Sequence, residues 1–164
     1  MTHTHTPRTI AFTGHRSYNR THDAIVLDCV ESLVAEGARI FRVGMAEGFD
    51  IAAALVTLGL KSKCEDIRLE LYIPYPSFSL HMSDTDRRLY NEILNRADYV
   101  EYIAKEYYTG VYQDRNNRLV KGADMVVAWW NGKPSGTGYT VSYARALGCP
   151  VKNLYDYQQL ELEL

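Results

Sequence analysis

Apolar residues along this chain alternate between short runs and longer stretches in which they recur at helical spacing. Residues 8–12 and 39–43 read as strands. Residues 67–74 read as a third, with Leu69, Leu71 and Ile73 on one face, Tyr72 on the other, and Pro74-Tyr75-Pro76 as its stop. Strands over 99–103, 124–129 and 150–154 complete the set. The first helical stripe is Ile25, Cys29, Val30, Leu33 and Val34, on a helix that Thr21 can cap and that reaches about Glu36 before Gly37. A second helix covers 51–60, with Asp50 placed as its N-cap. Ser83 or Asp84 starts a third, striped by Leu89, Tyr90, Ile93, Leu94 and Ala97. A polar helix carries Arg115, Asn116, Asn117 and Arg118, and a last one, opened by the loop 131–138, carries Thr140, Tyr143, Ala144 and Leu147. Strands joined by helical crossovers imply parallel pairing with both sheet faces covered. The expected fold is a Rossmann-like three-layer α/β domain with a mainly parallel sheet, and residues 1–164 form a single domain of this kind.

Composition narrows the function classes. A formal charge of −2 and a pI near 6.2 give no global basic signature, which argues against nucleic acid as a partner and leaves room only for a local patch. Cys29, Cys64 and Cys149 are odd in number and widely spaced, without the spacing of a zinc site or disulfide framework, so a reducing cytoplasm fits. The polar start is neither a signal peptide nor a membrane span. His3 and His5 within it could hold a stray metal, but a disordered start suits such a segment better. Neither a metal nor a cofactor is expected: the chain has no HExxH, and GxGxxG is missing after the first strand. There is no Walker GxxxxGK[ST] and no GxSxG elbow either.

The candidate chemistry lies in loops that follow strands, where ligands bind in a parallel sheet. Ser135, Gly136, Thr137 and Gly138 fall where a strand gives way to a helix. There, unpaired N–H groups and the helix dipole attract an anion, glycine lets a phosphate approach the backbone, and hydroxyls can bond its oxygens. After the first strand come Thr13, Gly14, His15 and Arg16. Gly14 permits a tight turn, and Arg16 can grip an anion in a bidentate fork. After the second come Gly44, Glu47, Gly48 and Asp50. Asp50 has a plain structural use as a cap, whereas Glu47 is the better candidate for ribose or catalytic contact. Tyrosines over 106–112 could stack on a base or simply cover the core.

Taken together these segments resemble the YpsA-like family of the SLOG superfamily, which groups DprA/Smf with the LOG phosphoribohydrolases. The resemblance rests on Thr13-Gly-His-Arg16, on Gly44-x-x-x-Gly48-x-Asp50, on Gln113-x-Arg115-Asn116 before a strand ending in Trp129, and on Gly136-Thr137-x-x-Thr140-x-x-Tyr143-Ala144. It covers nearly the whole chain. It implies a Rossmann-like fold, a nucleotide-like ligand and, from the LOG relatives, a homodimer. LOG enzymes cleave the N-glycosidic bond of a nucleotide monophosphate, with a signature Arg followed by PGGxGTxxE. Arg115 matches that Arg in placement, nine residues before Asp124, and Pro134, Gly136 and Thr137 match the motif. Thr140 stands where the Glu belongs, and a hydroxyl cannot replace a carboxylate as base or as stabiliser of a cationic centre. The expectation is therefore binding or sensing of a phosphate-bearing ligand. Its contacts would be Thr13, Gly14, His15, Arg16, Gly44, Glu47, Gly48, Asp50, Arg115, Asn116, Ser135, Gly136, Thr137, Gly138 and Thr140. The alternatives are an N-glycoside hydrolase with Glu47, Asp50 or Arg115 as catalytic candidates and, with less support, a single-stranded DNA binder.

Overall fold

The computed structural model describes residues 7–158, so His3 and His5 lie outside the described residues. Strands β1 (Thr9–Gly14), β2 (Ile40–Val43), β3 (Arg68–Ile73), β4 (Tyr99–Tyr102), β5 (Met125–Trp129) and β6 (Val151–Asn153) make a six-stranded parallel sheet in the order β4-β3-β2-β1-β5-β6. Helices α1 (Asp23–Glu36), α2 (Phe49–Lys61) and α3 (Asp84–Arg96) cover one face, and α4 (Val111–Val120) and α5 (Gly136–Ala146) the other. This is the Rossmann-like three-layer architecture expected from the alternation.

Strands β1, β3 and β5 are buried on both sides, and successive residues feed two cores. Ile10 and Phe12 join Phe41, Leu69, Leu71 and Ile73 beneath α1–α3. Ala11, Tyr72 and Val126 meet Leu119, Val120 and Ala144 beneath α4 and α5. Tyr72 thus faces away from Leu71, as the alternation requires.

Two helix starts differ from those the sequence predicts. Ser83 does cap α3, its Oγ accepting the Asp86 N–H at 3.1 Å. Thr21 does not cap α1: its hydroxyl donates to Asn19 Oδ1 at 2.8 Å, and the helix starts at Asp23. Nor is Asp50 an N-cap. Gly48, at φ 77° and ψ −117°, admits the chain into α2 one residue before Phe49, so Asp50 sits inside the first turn. A 3-10 turn over Pro76–His81, seeded by the proline at its first position, separates β3 from α3 where the sequence had suggested only a stop.

Candidate functional site

The sheet order places β1 between β2 and β5, so the chain leaves β1 toward one neighbour and returns much later to pair with the other. At such a switch point the connections diverge and leave a crevice at the carboxyl edge. A cavity of about 370 Å³ opens there. The β1 exit contributes Thr13, Gly14, His15 and Arg16, the β2–α2 segment Ala46 and Asp50, and the start of α5 Ser135, Gly136 and Thr137. Helix α4 supplies Tyr112, Arg115, Asn116 and Leu119, one face of the helix by spacing. A cavity of about 400 Å³ at the opposite edge includes Asp124, but that carboxylate already accepts the Arg8 and Thr9 N–H groups at 3.0 and 2.9 Å.

Arg115 is the central cation. It is only 5% exposed, which is rare for an arginine without a compensating partner. Its Nη1 donates to the Gly44 carbonyl, its Nε donates to Asn116 Oδ1 at 2.8 Å, and its guanidinium lies 5.8 Å from the Phe78 ring centre. Neither hydrogen-bond acceptor carries charge. Burial lowers its pKa, against the pull of the Asp50 carboxylate. Among the described residues Arg115 makes no ion pair, and Asp50 is the carboxylate that favours its charged form. Gly44 keeps this geometry possible, since a Cβ there would lie 2.9 Å from the guanidinium carbon.

Asp50 is the buried carboxylate of the same cavity, 5% exposed. The loop before it twists through a left-handed Met45 (φ 65°), and the Ala46 N–H then donates to Asp50 Oδ2 at 3.1 Å. Its Oδ1 has no hydrogen-bond partner. Burial pushes the Asp50 pKa up to about 6 from an ordinary 3.8, against the lowering pull of Arg115 and the Ala46 N–H. A folded-state pKa above the unfolded one favours the fold while the carboxyl is protonated, and that benefit is lost as pH rises through 6. Relative to Asp50→Asn, the wild-type stability should therefore fall between about pH 4 and pH 7 by roughly 3 kcal/mol. Urea unfolding of both proteins at several pH values measures this, and a constant difference would show that Asp50 ionises like an exposed carboxylate.

Helix α5 presents its N-terminus to the cavity. Ser135 is the N-cap, its Oγ accepting the Gly138 N–H at 3.0 Å, which leaves the first-turn N–H groups of Gly136 and Thr137 without intrahelical acceptors. The loop before it is braced from two sides. His15 Nε2 accepts the Asn131 N–H at 3.0 Å across the switch point, and Asn153 of β6 bonds both the Trp130 N–H and carbonyl, at 3.0 and 2.8 Å.

Five of the expected contact residues do not line the cavity. Gly44 and Gly48 shape it from behind. Glu47 is half-buried outside it, so Asp50 is the carboxylate at the cavity wall. Gly138 packs against the Trp130 indole, a Cβ there lying 3.0 Å from Nε1. Thr140 is buried, and its hydroxyl donates to the Gly136 carbonyl at 3.0 Å. Ala46 and Leu119 line the cavity without having been expected there, and Tyr112, one of the tyrosines that could stack on a base, lines it too. The spacing 112, 115, 116, 119 on a helix was the available signal for the last two. Among the described residues no group of His, Cys, Asp and Glu could hold a metal ion, and no helix is long and apolar enough to cross a membrane.

A model of the YspA SLOG family matches residues 10–163. A UPF0398 protein of Halalkalibacterium halodurans is 30% identical over 117 residues, 70% of this chain and 62% of the relative. A UPF0398 protein of Bacillus cereus strain B4264 is 23% identical over 164 residues, 92% of this chain and 89% of the relative. Among solved structures, DNA processing protein A (DprA) from Streptococcus pneumoniae superposes with a TM-score of 0.67 at 20% identity, over 88% of this chain and 49% of that one. DprA from Helicobacter pylori, described for its single-stranded DNA binding mode, gives 0.63 at 18% identity, over 89% of this chain and 64% of that one. This chain thus spans less than two thirds of the Halalkalibacterium relative and of both DprA chains. At these identities the structural likeness is one of fold.

Proposed function

Since the chain belongs to the YspA SLOG family, we propose that its switch-point cavity binds a nucleotide-like small molecule through a phosphate group. The observation that carries this reading is Arg115, a buried guanidinium with uncharged acceptors beside the N-terminus of α5. Arg16 adds a second cation at the exposed β1 exit, and the cavity volume falls in the range of small-ligand sites. We place the protein in the cytoplasm as a homodimer as part of the same proposal.

A thermal-shift screen against nucleotides, ADP-ribose and NAD tests it, since a ligand at a hundred times its Kd should stabilise the fold by about 2.7 kcal/mol. Gly136 supplies the control. A Cβ there meets nothing within 4 Å, so Gly136→Trp should leave the circular dichroism unchanged while blocking the approach of a phosphate to the α5 backbone. Binding that survives Gly136→Trp would remove α5 from the site.

Asp50 favours a second reading, in which the ligand is hydrolysed at its N-glycosidic bond. A carboxyl with a pKa near 6 and a free oxygen is suited to proton transfer near neutrality or to facing a cationic sugar carbon. It would replace the glutamate whose position Thr140 occupies. Release of free base from nucleotide monophosphates, lost in Asp50→Asn with binding retained, is the result that would establish it. The fold shared with DprA also weighs against the expectation, drawn from charge balance, that nucleic acid is not a partner. An oligothymidylate included in the screen addresses that arm directly.

A further inference from the structure

Four aromatic rings gather where α4 begins, and they continue the cavity wall outward. Tyr112 lines the cavity, and its ring centre lies 5.9 Å from Phe78, 6.0 Å from Tyr107 and 6.3 Å from Tyr75. Tyr75 and Phe78 are 7% exposed and belong to the core, whereas Tyr107 is 59% exposed. The Tyr75 and Tyr112 hydroxyls are hydrogen-bonded at 2.9 Å, which anchors the outer end of the Tyr112 side chain among its ring neighbours. Arginines alternate with these rings: Arg115 lies against Phe78, and the Arg16 guanidinium sits 5.9 Å from the Tyr112 centre. Arg16 is exposed and makes no hydrogen bond or ion pair among the described residues.

Single exposed tyrosines need no explanation. A held ring at a cavity mouth, flanked by an exposed ring and an uncommitted planar cation, is the arrangement on which a nucleobase stacks. We propose that Tyr112, Tyr107 and Arg16 form a base-stacking ledge, on which the base of a nucleoside monophosphate rests while its phosphate occupies the end of the cavity lined by Arg115, Gly136 and Thr137. This rests on the reading that the cavity takes a nucleotide-like phosphate.

The test compares AMP with ribose 5-phosphate, which keeps the phosphate and sugar but lacks the base, by isothermal titration. Wild-type protein should bind AMP about five- to 150-fold tighter than ribose 5-phosphate, the worth of one stacked base. In Tyr112→Leu that gap should close, AMP losing far more affinity than ribose 5-phosphate. Tyr107→Ala, at an exposed position, should narrow the gap without a folding defect and stands in if Tyr112→Leu misfolds. Equal affinities for the two ligands in the wild type, or equal weakening of both in the variants, would overturn the ledge while leaving the phosphate site standing. Absence of binding by either ligand would overturn both. Tight binding of oligothymidylate that depends on Tyr112, with AMP bound no better than ribose 5-phosphate, would replace the small-molecule occupant by a DNA strand.

Discussion

Arg115→Ala should destabilise the fold by about 2–5 kcal/mol, from the cavity left by a buried side chain and the hydrogen bonds lost with it. Arg118→Ala should cost less than about 1 kcal/mol. The two residues are three apart on α4, and their surroundings decide the difference. Arg118 extends over Tyr72 to Glu101 of β4 at 2.9 Å, with 41% of its side chain exposed. Arg115 is sealed between Gly44, Asn116 and Phe78. Its loss leaves the Gly44 carbonyl without its donor and the Asp50 carboxyl without the strongest of the influences that favour its charged form. If ligand binds as proposed, Arg115→Ala should also weaken it about ten- to a hundredfold, through loss of a charge-assisted hydrogen bond. Arg115→Lys should recover only part of either effect, because an ammonium lacks the planar fork. Chemical denaturation and titration of the three variants decide it. Equal behaviour of Arg115→Ala and Arg118→Ala would reduce α4 to a polar surface helix.

Gly48→Ala should be nearly as damaging, by about 2–5 kcal/mol, although it adds a single methyl group. Gly48 has φ 77° and ψ −117°, a region that side chains strongly disfavour. A Cβ there would also lie 2.5 Å from the Arg16 carbonyl oxygen and 2.7 Å from that of His15, and backbone atoms cannot swing aside. The effect should reach the site, because this contact seats the first turn of α2 on the β1 exit, where the Phe49 N–H donates to the His15 carbonyl at 3.3 Å. Gly14 closes the same junction from the other side, a Cβ there falling 2.4 Å from the Phe49 ring. A denaturation midpoint for Gly48→Ala equal to that of the wild type would show that the two loops are not locked together.

The sequence exposed the architecture because both of its rhythms were clean. Apolar runs such as Val126-Val127-Ala128 and the stripe through Cys29, Val30 and Leu33 have one good packing solution each. Helix starts were less legible. Thr21 and Asp50 are both good capping residues, and only the turn bonding of Asn19 and the conformation of Gly48 decide against them. In the cavity, Arg115, Gly14 and Gly136 followed from motif and position. The exchange between Glu47 and Asp50 did not, since one-residue differences in a loop that turns through a left-handed Met45 lie beyond pattern reasoning. Thr140 was misleading for a related reason. A hydroxyl in a helix can bond the carbonyl one turn back, and this one does.

The braces on the loop after β5 carry a kinetic meaning. His15 ties that loop to the β1 exit, and Asn153 grips Trp130 by both backbone groups, so the two banks of the crevice are joined by hydrogen bonds of the protein's own. For a ligand that binds as proposed, little of the interaction energy would then be diverted into arranging loops. Differences among such ligands should reside in how long each one stays, because release varies more than association among related complexes.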